Sequence, residues 1–247
     1  MTNRLACAFV VMLLSSAPAF AQIPSTFTNL QVLPKDISRA DLVNTMRKMA
    51  GALGARCAAC HVGPDNLEGM DFATDARPAK QAARTMLRMV DSINANFMTA
   101  LPAGAASRQQ VTCITCHRRS LTPPLPLSDI LTATIAAEGT PAGIAQYRKL
   151  RGEMLESGVY DFREATLAIV ATTLRDQKNL PAAIEILKLN AEMFPRSVAA
   201  QMILGDASAQ SGDAATARAA YRRALELEPG NEGAVRGLAA LDKPKAR

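Results

Sequence analysis

The word RCAACH at residues 56–61 returns 56 residues later as TCITCH at residues 112–117, and these two CxxCH motifs constrain the chain more than any other feature. A thiol pair with a two-residue gap serves a redox disulfide, half of a zinc site, or the attachment of a c-type haem. The histidine closing each motif favours haem. The thiols add across the two vinyl groups of the porphyrin, and the adjacent imidazole then comes under the iron as its proximal ligand. Zinc is the main alternative, because four thiolates and two imidazoles suffice for one tetrahedral site. Cys57, Cys60, Cys113 and Cys116 are therefore candidate thioether positions for two covalently bound haems, and His61 and His117 are candidate iron ligands.

The rest of the sequence agrees with haem chemistry outside the cytoplasm. Residues 1–21 carry one Arg, an apolar run from Leu5 to Leu14, and small residues ending Ala19, Phe20, Ala21. That pattern reads as a secretory signal peptide cleaved near Ala21, which places the mature chain in the periplasm. The run is shorter than the ~18 apolar residues a transmembrane helix needs, and no later stretch is apolar enough to span a bilayer. Cleavage removes Cys7, so every remaining cysteine lies in a CxxCH motif and both histidines of the chain close one. The net charge of +6, less one when Arg4 leaves, suits acidic partner proteins or anionic surfaces. An exported chain with no clustered basic run does not suit nucleic acid. Aromatic residues make up only 4% of the chain, so two porphyrins would supply bulk that its own side chains lack.

Three regions come after the signal: residues 22–120 with all the motifs, a proline-rich linker at 121–128 (LTPPLPLS), and an Ala-rich region at 129–247. In the first, Ser38 and Asp41 start a helix that Gly54 ends, and Pro78 starts a second helix running to Phe97. At 100° per residue, Leu42, Met46, Ala50 and Leu53 form one buried stripe centred on Met46. Met86, Val90, Ile93 and Phe97 form another centred on Met86. Each methionine is a candidate sixth ligand, because a thioether on the distal side raises the reduction potential; the same spacing also suits core filling. In the third region, residues 164–197 and 198–231 repeat at the tetratricopeptide period, marked by Leu204, Gly205, Ala217, Tyr221 and Pro229 in the second copy. The fold class is all-α: a two-haem domain followed by helical repeats.

The words LPKDISRADLVNTMRKMAGALGARCAACH, ARPAKQAARTMLRMVDSINANF and VTCITCHR resemble the cytochrome c subunit of bacterial photosynthetic reaction centres. The resemblance covers residues 30–119, one two-haem half of that four-haem protein. It implies Met46 as distal ligand to the haem on Cys57, Cys60 and His61, and Met86 to the haem on Cys113, Cys116 and His117. In the family the first methionine of each Met-x-x-Met word binds, ahead of Met49 or Met89. The family's additional histidine before its second CxxCH is absent from residues 98–112, and the tetratricopeptide tail is foreign to the photosynthetic subunit.

No nucleophile with a base, acid–base pair or phosphate loop is evident, so the reading is an electron carrier rather than an enzyme. Redox proteins would meet it at the haem edges and through the helical tail. The alternatives are a two-haem peroxidase or reductase, which needs an iron with an open site, and a scaffold whose haems are structural. Arg118 and Arg119 are candidates to pair with haem propionates or are simply solvated.

Overall fold

The computed structural model describes residues 23–102 and 110–243, so the signal segment and its cleavage site lie outside the described residues. It divides into two compact units with the boundary between Thr115 and Cys116. Among the described residues the regular structure is helical, and one isolated bridge pairs Val62 with Asp71.

In the first unit, α1 runs Arg39–Leu53 and α2 Pro78–Ser92. The Ser38 hydroxyl accepts from the Asp41 amide and so caps α1 at its N-terminus, and Gly54 closes it in the left-handed conformation at φ 60°. Pro78 opens α2, where its missing N–H costs nothing. After Ser92 the helix widens into a π turn, Ile93–Met98, a feature no residue pattern announces. The second CxxCH forms the short helix α3, Cys113–His117, within which the boundary falls.

The expected stripes are only partly buried. On α1, Leu42 is buried while Met46, Ala50 and Leu53 are half-buried. On α2 the expectation fails: Met86 is 40% exposed and Phe97 66%, while the buried residues are Lys80 and Arg84. Among the described residues, Leu42 and Met70 are the only buried hydrophobic side chains of this unit. Among the described residues the apolar face of α2 is covered only in part, with Val90 and Ile93 half-buried, and its Lys80 and Arg84 side chains turn inward onto Asp75.

The second unit is the opposite. The proline stretch ends at Pro126, and α4 already begins at Leu127 (Leu127–Glu138), followed by α5 Thr140–Met154. The repeats supply α6 Glu164–Asp176, α7 Leu180–Met193, α8 Val198–Ser211 and α9 Ala214–Leu227, with α10 Glu232–Leu241 closing the array. Each helix packs on its successor within a pair, α4 on α6 and α8 on α10, the neighbour pattern of a solenoid. One core runs from Leu127 through Tyr147, Leu167, Val170 and Ile186 to Leu204, and a second gathers Ala217, Tyr221, Ala224 and Ala234.

Gly205 shows why the second repeat needs its residues. A Cβ there would lie 2.5 Å from the Tyr221 ring, which is itself 3% exposed and donates its hydroxyl to Asp206 at 2.8 Å. Gly205→Ala is therefore expected to cost about 1–3 kcal/mol through overpacking. Tyr221→Ala should cost about 3–5 kcal/mol by removing the ring. The double variant should cost less than the sum, because the clash disappears with the ring. Urea unfolding followed by helical circular dichroism measures all three.

Candidate haem-binding sites

The first CxxCH lies just past the end of α1. Cys57–Ala59 make one turn of 3-10 helix, and the His61 amide donates to the Cys57 carbonyl at 3.0 Å. The turn thus sets both thiols and the imidazole on adjacent backbone. Cys57 is exposed and Cys60 half-buried, and neither is in a disulfide. Burial pushes the Cys60 thiol above its ordinary pKa, and Cys57 adds to the rise. A redox dithiol requires the reverse shift. Among the described residues no three His, Cys, Asp or Glu side chains gather in a group that could hold a metal ion.

The loop after the motif is folded back by two devices. The Asp71 amide donates to the Val62 carbonyl at 2.7 Å, and the Asp71 carboxylate accepts from the amides of Ala73 and Thr74 at 2.8 and 2.9 Å. Phe72 is thereby set edge-on to the His61 ring, with centroids 5.1 Å apart. The Lys80 ammonium then donates to the carbonyls of Phe72, Ala73 and Thr74 at 2.9, 2.9 and 2.7 Å. Asp75 lies 3.2 Å from Lys80 and accepts from Arg84 at 2.7 Å, and it also takes hydrogen bonds from Asn29 and Gln81. Arg84 reaches on to the Asn29 carbonyl at 3.2 Å.

His61 Nδ1 is buried and has no well-aligned hydrogen bond. Burial lowers the imidazole pKa and the Lys80 ammonium lowers it further, against smaller upward pulls from Asp71 and from a hydrogen bond to the Phe72 backbone. At the second motif the imidazole is held differently. His117 Nδ1 lies 3.0 Å from the Ser120 carbonyl, which can only accept, so Nδ1 carries the proton and Nε2 the free lone pair. The turn that brings Ser120 back passes through Arg118 and Arg119, both at positive φ (46° and 63°). Arg118 donates to the Pro124 carbonyl at 2.7 Å, which engages one side of the guanidinium that sequence reasoning offered to a propionate. The approach to α3 is fixed by Asn94, which donates to the Val111 carbonyl and accepts the Val111 amide, both at 2.8 Å.

These residues fit haem. A thiol pair and an imidazole share each motif, and the His117 tautomer presents Nε2. Apolar side chains stand exposed in the same unit at Val62, Met86, Met89, Phe97, Leu101 and Ile114. Met46 is half-buried and Met86 exposed, so neither thioether is fully taken up by protein packing. Sequence reasoning missed Asp75, Lys80 and Arg84. The signal available was weak: two cations four apart at the start of a helix, following an aspartate.

Helices closed by CxxCH, with a buried or carbonyl-bound imidazole beside each thiol pair, define a c-type cytochrome. Over residues 14–150, more than half its length, the chain matches the family described as photosynthetic reaction centre cytochrome C subunit, and it belongs to that family. Residues 198–241 match the tetratricopeptide repeat. The chain is 40% identical over 100 residues to cytochrome c-554 of Chloroflexus aurantiacus, a match covering 40% of this chain and 22% of that relative, so it spans about a fifth of that protein's length. The second TPR domain of human RPAP3, solved by NMR with an HSP70 peptide, aligns at 18% identity and TM-score 0.33, over 48% of this chain and 93% of that one.

Asp71 and Asp75 both contribute to the acid behaviour of the first unit, Asp71 through hydrogen bonds from the Thr74 and Ala73 amides that lower its pKa. Arg84, donating to its carboxylate, holds the Asp75 pKa well below the ordinary carboxylate range, with Lys80 acting in the same direction. A depressed folded pKa gives stability that is present above the unfolded value of about 3.9 and lost as pH falls through the folded one. Asp75→Asn should melt lower than the wild type at neutral pH, and the gap between their melting temperatures should close as pH drops below ~4. Thermal scans across that range read it directly.

Proposed function

We propose that the mature chain is a periplasmic two-haem c-type cytochrome that carries electrons between redox proteins, with the helical repeats as its docking tail. The observation that carries the reading is the fixed tautomer of His117, whose Nδ1 proton is held on the Ser120 carbonyl so that Nε2 is free to act as a ligand. The domain limits that go with it are 22–120 for the haem domain, a connector beginning at 121, and 129–247 for the repeats.

When bound, haem supplies one reversible electron at each motif. Cys57 and Cys60 would fix one porphyrin and Cys113 and Cys116 the other. His61 and His117 would bind iron on the proximal side, with Met46 and Met86 on the distal side. Thioether ligation by Met46 and Met86 would favour the ferrous state and leave no exchangeable position, which would suit a carrier and not a peroxidase. The exposed apolar residues of the first unit would lie against the macrocycles and keep water from them. A cationic chain reaches acidic partners faster at low ionic strength. No helix among the described residues is long and apolar enough to cross a membrane.

Reduced holoprotein should remain six-coordinate and refuse carbon monoxide, and the oxidised form should show the weak sulfur-to-iron charge-transfer band. Met46→Ala should open one haem to carbon monoxide and lower its potential. Met86→Ala should do the same at the other, while Met89→Ala leaves both closed. Wild-type protein that binds carbon monoxide at one haem and turns over peroxide would replace the carrier by an enzyme.

A further inference from the structure

Two arginines stand where a chain would ordinarily place glycine. Arg118 and Arg119 follow His117 directly, and both are left-handed, at φ 46° and 63°. A side chain strains the backbone in that region and glycine does not, so the turn persists only where something else holds it. The Arg118 side chain supplies a hold: it is half-buried and donates to the Pro124 carbonyl at 2.7 Å. Pro124 is close to a firm anchor. Two residues on, the Pro126 carbonyl accepts from the Asp129 amide at 3.0 Å as α4 begins, and Leu127, 3% exposed, joins the core of the second unit. At the other end of the turn the Ser120 amide donates to the His117 carbonyl at 2.8 Å, and the Ser120 carbonyl lies 3.0 Å from His117 Nδ1.

A proximal histidine that donates its outer N–H to a carbonyl becomes a stronger donor to iron, which stabilises the ferric state. We infer that Arg118 is a positioning residue for His117. Its bond to Pro124 keeps the left-handed turn closed, and the turn keeps the Ser120 carbonyl on the imidazole N–H. The potential of the haem on Cys113 and Cys116 is thereby held below what a freely turning imidazole would give it. The guanidinium charge acts in the opposite sense, because a nearby cation disfavours the more positive ferric iron. Loss of positioning and loss of charge therefore shift the potential in opposite directions. A turn that needed only its backbone shape would be served at least as well by glycine. Through Pro124 the proximal ligand of the second haem is tied to the packed start of α4. The inference rests on His117 being an iron ligand.

The test uses full-length holoprotein labelled with nitrogen-15, in a redox titration that assigns each haem by the imidazole whose resonances it moves. In the ferrous wild type the His117 ring N–H should exchange slowly. Arg118→Met should let it exchange freely and raise the ferrous-to-ferric ratio of the second haem about tenfold at a fixed potential, equivalent to ~59 mV. Arg118→Gly should do the same, although it relieves the backbone. Arg118→Lys, which keeps a donor and the charge, should stay near the wild type. The first haem should not move in any of the three. A second haem that stays in place or shifts downward in Arg118→Met, or keeps its wild-type potential in Arg118→Gly, overturns the inference. If neither variant yields holoprotein, the wild type decides alone: slow exchange at both the His117 ring N–H and the Arg118 guanidinium supports the inference, and free exchange at either overturns it. Absence of haem from Cys113 and Cys116 in the wild type would end the functional reading as well, so the two failures are distinguishable.

Discussion

The first unit depends on one carboxylate held between two cations. Asp75 meets Arg84 at 2.7 Å and Lys80 at 3.2 Å, and the cationic side chains are 8% and 11% exposed. Burying two long cationic side chains is unfavourable unless nearly every donor is used. Here Lys80 meets three carbonyls, and Arg84 adds the Asn29 carbonyl to its carboxylate. The result fastens the N-terminal turns of α2 to the loop after the first CxxCH. The position of His61, its edge contact with Phe72, and the register of the loop all depend on that fastening.

Such an arrangement stands where a hydrophobic core would otherwise be. The second unit buries a continuous set of Leu, Ile, Val, Ala and Tyr side chains, while the first unit buries Leu42 and Met70 among its described residues. Apolar side chains are plentiful in the first unit, but they are displayed rather than packed. Two rigid macrocycles joined to the backbone by thioethers would give those side chains a common surface, and a hydrogen-bonded frame would keep both imidazoles in place until the macrocycles arrive. The chain therefore divides its stabilising forces: directional bonds around the first CxxCH, apolar burial in the helical repeats.

Much of this was legible in the residues. The caps of α1, the proline start of α2, the two motifs and the 34-residue period each have local causes, so they could be read without a structure. The burial of α2 could not. Periodicity identifies an apolar face but does not say what covers it, and Met86 and Phe97 stand exposed where a stripe centred on Met86 implied burial. Lys80 and Arg84 were invisible for the opposite reason, since charged residues belong outside unless a partner is known. That partner, Asp75, is a loop residue whose place is set by tertiary contacts. The surroundings of His61 and His117 likewise arise from the backbone just past each motif, a folded-back loop in one case and a left-handed turn through Arg118 and Arg119 in the other.

The central claim is that both CxxCH motifs carry haem, and the mass of the intact chain addresses it most directly. Full-length protein exported from a host with a c-type haem maturation system should begin at Gln22 and weigh as much as that polypeptide plus two haems, with the added mass surviving acid denaturation because the bonds are covalent. A mature chain carrying one haem, zinc alone or no added mass would contradict the account.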